Sequence, residues 1–176
     1  MVEMADIKND LPDWPDDVIE QWLHYFAQDC GWPPPEPLGN HRWKGLLGGK
    51  PLSWWKKVSW KKEKIKCDLP SLTAKSRADV REIVAEMNAG KADESTKKRI
   101  ARSWLYIKDN GVFPHGLVTM KKPDGVSLID GSHRMAAFEM VQSLTDAQFA
   151  QANLQRPSRD QEVWVGTHSG GEVPDG

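Results

Sequence analysis

Between Gly116 and Leu144 the hydrophobic period changes once, and that change restricts the chain to folds in which a β-hairpin runs straight into a helix. Gly116-Leu117-Val118-Thr119-Met120 and Val126-Ser127-Leu128-Ile129 are short strand-like runs. Lys122-Pro123-Asp124-Gly125 between them carries the residues that a tight turn demands. Past Asp130-Gly131-Ser132 the spacing becomes helical, and Met135 to Leu144 reads as a helix opened by Gly131-Ser132.

Two further helices precede the hairpin. Asp79 to Asn88 places Val80, Ile83, Val84 and Met87 at helical spacing, closed by Ala89-Gly90. Ser95 to Asp109 holds Ile100, Trp104 and Ile107 and ends at Asn110-Gly111, where glycine suits a left-handed C′ position. Trp60 to Leu69 reads as a strand with one polar side, and Glu162 to Gly166 as a closing strand after a polar linker. Nearer the N-terminus, residues 13–29 read as an amphipathic helix. Pro15, Asp16 and Asp17 suit its first turn, and Val18, Ile19, Trp22, Leu23, Tyr25 and Phe26 lie on one broad face. Gly31 and Pro33-Pro34-Pro35 stop it. Residues 40–60, with Trp43, Trp54, Trp55 and Trp60 among lysines and glycines, are expected as an irregular segment or short strands clamped by aromatics. The sum is an α+β fold: a small mixed sheet with flanking helices, preceded by a helical, Trp-rich extension. The expected divisions are an extension over 1–57, a domain over 58–168 and a flexible tail over 169–176.

At 176 residues, 39% hydrophobic and 28% charged, the chain has the composition of a globular protein with one core. It shows no apolar run of the ~18 residues a membrane span needs. Its start, acidic and without an apolar core, does not read as a signal peptide. Cys30 and Cys67 form no CxxC or Cys/His cluster, so reduced thiols and a cytoplasmic location are expected, with no metal site. Charge is strongly segregated: residues 1–39 hold nine acids against Lys8 alone, and residues 40–66 hold nine bases against Glu63 alone. Either the acidic arm lies over the basic stretch, or the basic stretch faces an external polyanion.

The chemistry concentrates at the hairpin-to-helix junction. Gly131 removes the Cβ where the chain turns sharply or approaches a ligand. Ser132 reads as the N-cap, leaving the amides of His133, Arg134 and Met135 without intrahelical acceptors. Free amides at a helix start attract anions, and His133 and Arg134 add a titratable donor and a permanent cation. Ordinary capping, with Arg134 paired to Asp130 or Glu139, is the competing structural explanation.

Two blocks carry a resemblance. Residues Ile100 to Val118, with Ile107-Lys108-Asp109-Asn110-Gly111-Val112-Phe113-Pro114, resemble the helix-and-entry segment of ParB-like domains. Leu128-Ile129-Asp130-Gly131-Ser132-His133-Arg134-Met135-Ala136-Ala137-Phe138 is similar to that family's Gly-x-[Arg/His]-Arg-x-x-Ala segment, in the family's order and spacing. The likeness spans roughly residues 58–168, and residues 1–57 have no counterpart.

The resemblance to the ParB/sulfiredoxin superfamily implies a nucleotide pocket in which Gly131, Ser132, His133 and Arg134 hold the phosphates of ATP or CTP with Mg²⁺. Arg134, His133 and Asp130 would be the catalytic residues. Members include partition proteins, sulfiredoxins, free-serine kinases and proteins described as nucleases. Sulfiredoxin chemistry needs a cysteine where Ser132 stands, and neither Cys30 nor Cys67 falls there. The residues after 138 hold no helix-turn-helix or dimerisation domain, so chromosome partition is not expected. Asp-Gly-Ser-His-Arg is closest to the serine-kinase loop.

Bases interleaved with aromatics at Lys56, Lys57, Trp60, Lys61 and Lys62 suit nucleic acid, where cations track phosphates and rings stack on bases. The leading expectation is a nucleotide-binding ATPase with DNA-binding or DNase activity, plasmid- or phage-encoded and acting against transfer of competing DNA, in which it resembles the plasmid Osa fertility-inhibition type. The alternatives are a small-molecule or nucleoside kinase, a nucleotide-gated binding module, and a non-enzymatic inhibitor docking through its N-terminal aromatic helix. Nucleotide, single- or double-stranded DNA, or a transfer-system protein are the expected partners, and no membrane.

Overall fold

The computed structural model describes residues 1–174. It forms two compact units, one of Met1–Lys62 with Trp164–Gly176 and one of Glu63–Val163. The chain passes from the first unit to the second inside a strand, after Lys62, and returns to the first at Trp164. The four strands form a mixed sheet in the order β1-β4-β2-β3, where β1 is Val58–Lys66, β2 Val118–Lys122, β3 Gly125–Asp130 and β4 Asp160–His168. No helix among the described residues is long and apolar enough to cross a membrane.

In the first unit, α1 (Met4–Asp10) precedes a rod made of α2 (Asp16–Val18), a π-helical turn (Ile19–His24) and α3 (Tyr25–Cys30). Val18, Ile19, Trp22 and Leu23 are buried as expected, whereas Tyr25 is exposed and Ala27 is buried. The wider π turn adds a residue to the winding, so the inward face moves on by one position beyond it. Two short helices, α4 (Trp43–Leu46) and α5 (Leu52–Trp55), stand where short strands or irregular chain were expected.

Tryptophan builds this unit's core. Trp14 stacks on Trp22 with ring centroids 6.0 Å apart, and both meet Trp55 and Trp60 edge-on. Most of the indole N–H groups find acceptors, as large amphipathic rings require on burial. Trp55 donates to Leu47 O at 3.1 Å, Trp43 to Gly31 O at 3.0 Å and Trp164 to Asp17 Oδ2 at 2.7 Å. The segment expected as a flexible tail is anchored: Glu172 accepts from Trp54 Nε1 at 2.6 Å, Ser169 N donates to Lys57 O, and Pro174 is buried. Asp175 and Gly176 lie outside the described residues. The acidic arm partly covers the basic stretch, through Arg42–Asp29 at 3.8 Å and Lys56–Asp10 at 3.9 Å.

The second unit contains α6 (Ala74–Asn88), α7 (Glu94–Asn110), the β2/β3 hairpin, α8 (Ser132–Gln142) and α9 (Asp146–Gln151). Thr73 and Asp93 cap α6 and α7, and Gly111 ends α7 at φ 72°, in the left-handed conformation expected of it. Helix α8 packs on both α6 and α7, which is why Met135, Ala136, Ala137, Phe138 and Val141 are all buried. β2 and β3 pair antiparallel around Pro123-Asp124, with Lys122 opposite Gly125. α9, capped by Thr145, occupies part of the expected linker.

Candidate functional site

The register of the hairpin shifts at its far end: Thr119 faces Leu128, but Val118 faces Asp130. Ile129 is therefore an extra residue on β3, and a bulge of this kind re-aims the side chain that follows it. That side chain is Asp130. Gly131 follows with φ 116° and ψ 17° and stands at the N-cap of α8, so Ser132 is the first helical residue and not the cap. Met135 N donates to Gly131 O at 2.9 Å, which removes Met135 from the expected set of free amides. By position the amides without an i−4 acceptor are those of Ser132, His133 and Arg134.

Gly131 has no room for a side chain. A Cβ there would lie 2.6 Å from Leu117 Cδ2 and 2.9 Å from Arg134 Nη2. Arg134 folds back over it: Nη2 donates to Asp130 Oδ2 at 3.1 Å, and Nη1 donates to His115 O at 2.6 Å and Gly116 O at 3.4 Å. With the Arg134 side chain only 13% exposed, its guanidinium ties the end of β3 to the loop before β2. Burial pushes the Asp130 carboxyl above its ordinary acidity range, with Arg134 and then Arg99 opposing that shift.

His133 is held below its ordinary value, first by burial and then by the Arg99 charge, while Asp93 pulls the other way. Asp93 itself is lowered by its hydrogen bonds from Thr96, whose amide lies 2.7 Å from Oδ1, and by Arg99 and His133. The starts of α7 and α8 therefore bring Asp93, Arg99, Asp130 and His133 within electrostatic reach of one another. Arg99 is exposed and makes no hydrogen bond or ion pair among the described residues. Sequence reading missed Arg99 and Asp93. Asp93 leaves a capping signature before Glu94, but nothing in Lys97-Lys98-Arg99 marks which base turns toward the loop.

No family model matches the chain, and neither the curated proteins nor the solved structures give a match.

The expected nucleic-acid residues lie in the other unit. Lys56, Lys57, Lys61 and Lys62 are exposed, with Lys56 facing Asp10 and the Lys62 ammonium 5.2 Å from the Trp164 ring. Trp60 meets Trp14 edge-on at 5.2 Å, and its ring lies against Gly166, where a Cβ would come within 2.7 Å of it. Trp60 is half-buried, with part of its ring engaged inside the unit. Among the described residues no group of three His, Cys, Asp or Glu side chains is arranged to hold a metal ion. Mg²⁺ at the α8 loop would depend on the oxygens of a bound nucleotide, with Asp130 the carboxylate nearest in sequence to that loop.

Proposed function

We propose that this chain is a nucleotide-binding protein of ParB/sulfiredoxin type, holding the phosphates of ATP or CTP at the first turn of α8. The observation that carries the reading is Arg99: an exposed guanidinium without a partner among the described residues, electrostatically coupled to His133 and Asp130 beside a glycine-opened helix start. Amides at a helix start and a free guanidinium together form an anion cradle. Within it Arg99 and His133 contact phosphate oxygens. Arg134 is a positioning residue, because its donors already hold Asp130 and the 115–116 carbonyls.

Triphosphate hydrolysis is the reaction proposed for the site. Asp130, whose proton affinity is raised by burial, is the group suited to exchange a proton with an attacking water. Binding of tryptophan-stacked DNA is not part of the proposal, since Trp14, Trp22, Trp43, Trp54 and Trp55 are buried in the core and the half-buried Trp60 packs against Trp14 and Gly166.

Calorimetric titration of the whole chain with Mg·ATP, Mg·CTP and Mg·GTP tests the reading. Wild type binds at least one of them, and Arg99→Ala weakens that binding by roughly tenfold or more, the scale of one charge-assisted hydrogen bond. Arg99→Ala keeps the wild-type fold by circular dichroism, since this side chain makes no hydrogen bond or ion pair among the described residues. Failure of wild type to bind any triphosphate, or undiminished binding by Arg99→Ala, sinks the proposal.

A further inference from the structure

Helix α7 buries Ile100 and Ile107 and turns a different face outward. Lys98, Arg102, Leu105 and Asp109 follow one another at spacings of four, three and four, which puts them on a single seam, and Val112 continues it just past the helix end. All five are exposed. Leu105 is 51% exposed, Val112 48%, and Tyr106 beside them 41%; elsewhere among the described residues only Met1 and Tyr25 are large apolar side chains left so open. Lys98 and Arg102 make no hydrogen bond or ion pair among the described residues. Asp109 meets only its neighbour Lys108, at 4.0 Å. It also stands in the last turn, where the helix dipole disfavours a negative charge.

We propose that this face of α7 pairs antiparallel with the same face of a second copy of the chain. The charge order decides the direction. A parallel pair would set Lys98 against Lys98, Arg102 against Arg102 and Asp109 against Asp109. An antiparallel pair sets Asp109 opposite Lys98 of the other copy, with Leu105 against the Arg102 stem. One turn along, it sets Asp109 opposite Arg102, with Leu105 against Tyr106. Either register forms its acid–base contact twice, because a two-fold axis repeats every contact. A nucleic acid would meet Asp109 and two aliphatic side chains on the same seam, and an acidic partner would meet Asp109 as well. A second copy gives Asp109 a base and Leu105 a carbon neighbour in either register. One helix face is a small interface, so the association is concentration-dependent and salt-sensitive. Its acid–base contacts use neither Arg99 nor the α8 loop, and it stands independently of the nucleotide reading.

Sedimentation velocity on the full chain over a concentration series tests it, with Asp109→Lys and Lys98→Glu/Arg102→Glu as charge-reversed forms and circular dichroism to verify folding. Wild type shifts from monomer to dimer with concentration, and each reversed form dissociates at least ~10-fold more readily, a difference of about 1.4 kcal/mol. Mixing the two reversed forms restores a dimer, because every acid again faces a base. A wild type that stays monomeric overturns the proposal, as does a dimer indifferent to both reversals or a mixture that does not recover. A monomer that binds an oligothymidylate through Lys98 and Arg102 overturns it too and gives the face to nucleic acid.

Discussion

Arg134 donates to the Asp130 carboxylate at 3.1 Å across a glycine whose Cβ would stand 2.9 Å from the same guanidinium. The pair is largely buried, with side chains 13% and 20% exposed, and Arg134 adds bonds to two loop carbonyls. Removing one partner of such a pair leaves the other charge uncompensated. Arg134→Met is expected to lose about 3 kcal/mol of stability in urea denaturation at neutral pH. The double variant Asp130→Asn/Arg134→Met should recover part of that loss. Equal loss in the single and double variants would mean that the loop carbonyls, and not Asp130, are what Arg134 holds.

Gly131→Ala tests the backbone at the same point. At φ 116° an alanine is strained, and its Cβ would press on Leu117 and Arg134. The strain alone is worth about 1–3 kcal/mol. The variant should unfold at lower urea and lose triphosphate binding, whereas Gly111→Ala, also at positive φ but with open space around it, should lose stability and keep binding.

The features that sequence reading located were those written in local pattern. The turn at Lys122–Gly125 needs its proline and glycine, and the end of α7 needs Gly111; both stand where expected. The start of α8 was displaced by one residue, since Gly and Ser are both acceptable N-caps and only the backbone distinguishes them. The short helices α1, α4, α5 and α9 were not foreseen, because helices of four to seven residues have little stability of their own and form by packing. The tryptophans were legible as aromatic and ambiguous as to side: interleaving with lysine fits a stacking surface as well as a core whose rim is basic. Arg99 and Asp93 belong to the candidate site only through the packing of α7 on α8, a relationship with no sequence period.

Cys67 offers a check on burial in the second unit. Desolvation, and next the Asp68 charge, push its thiol up to about 12. At pH 8 roughly one molecule in ten thousand then carries the reactive thiolate. Iodoacetamide at that pH should label the half-buried Cys30 in the native protein and leave Cys67 unmodified until denaturant is added, read as one mass increment and then two. Rapid native labelling of both would place Cys67 in a more open environment than the fold gives it.

His133 sets the pH response of the site. Its folded value lies below the ordinary 6.5, so between that value and 6.5 the unfolded chain binds more protons than the folded one. Stability from this group is therefore complete above 6.5 and is lost as pH falls through the window. Asp130 acts in the opposite sense: its raised value means that its contribution declines as pH climbs from 3.8 through the folded value. Denaturation of His133→Gln should show a flatter profile below pH 6.5 than wild type, and Asp130→Asn should remove the decline at higher pH. A phosphate bound beside His133 stabilises the imidazolium, so adding ATP should raise the titration midpoint of this ring in proton NMR. Triphosphate affinity should then strengthen as pH falls toward it. An unmoved midpoint in the presence of saturating ATP would place the phosphates away from His133 and leave Arg99 alone to hold them.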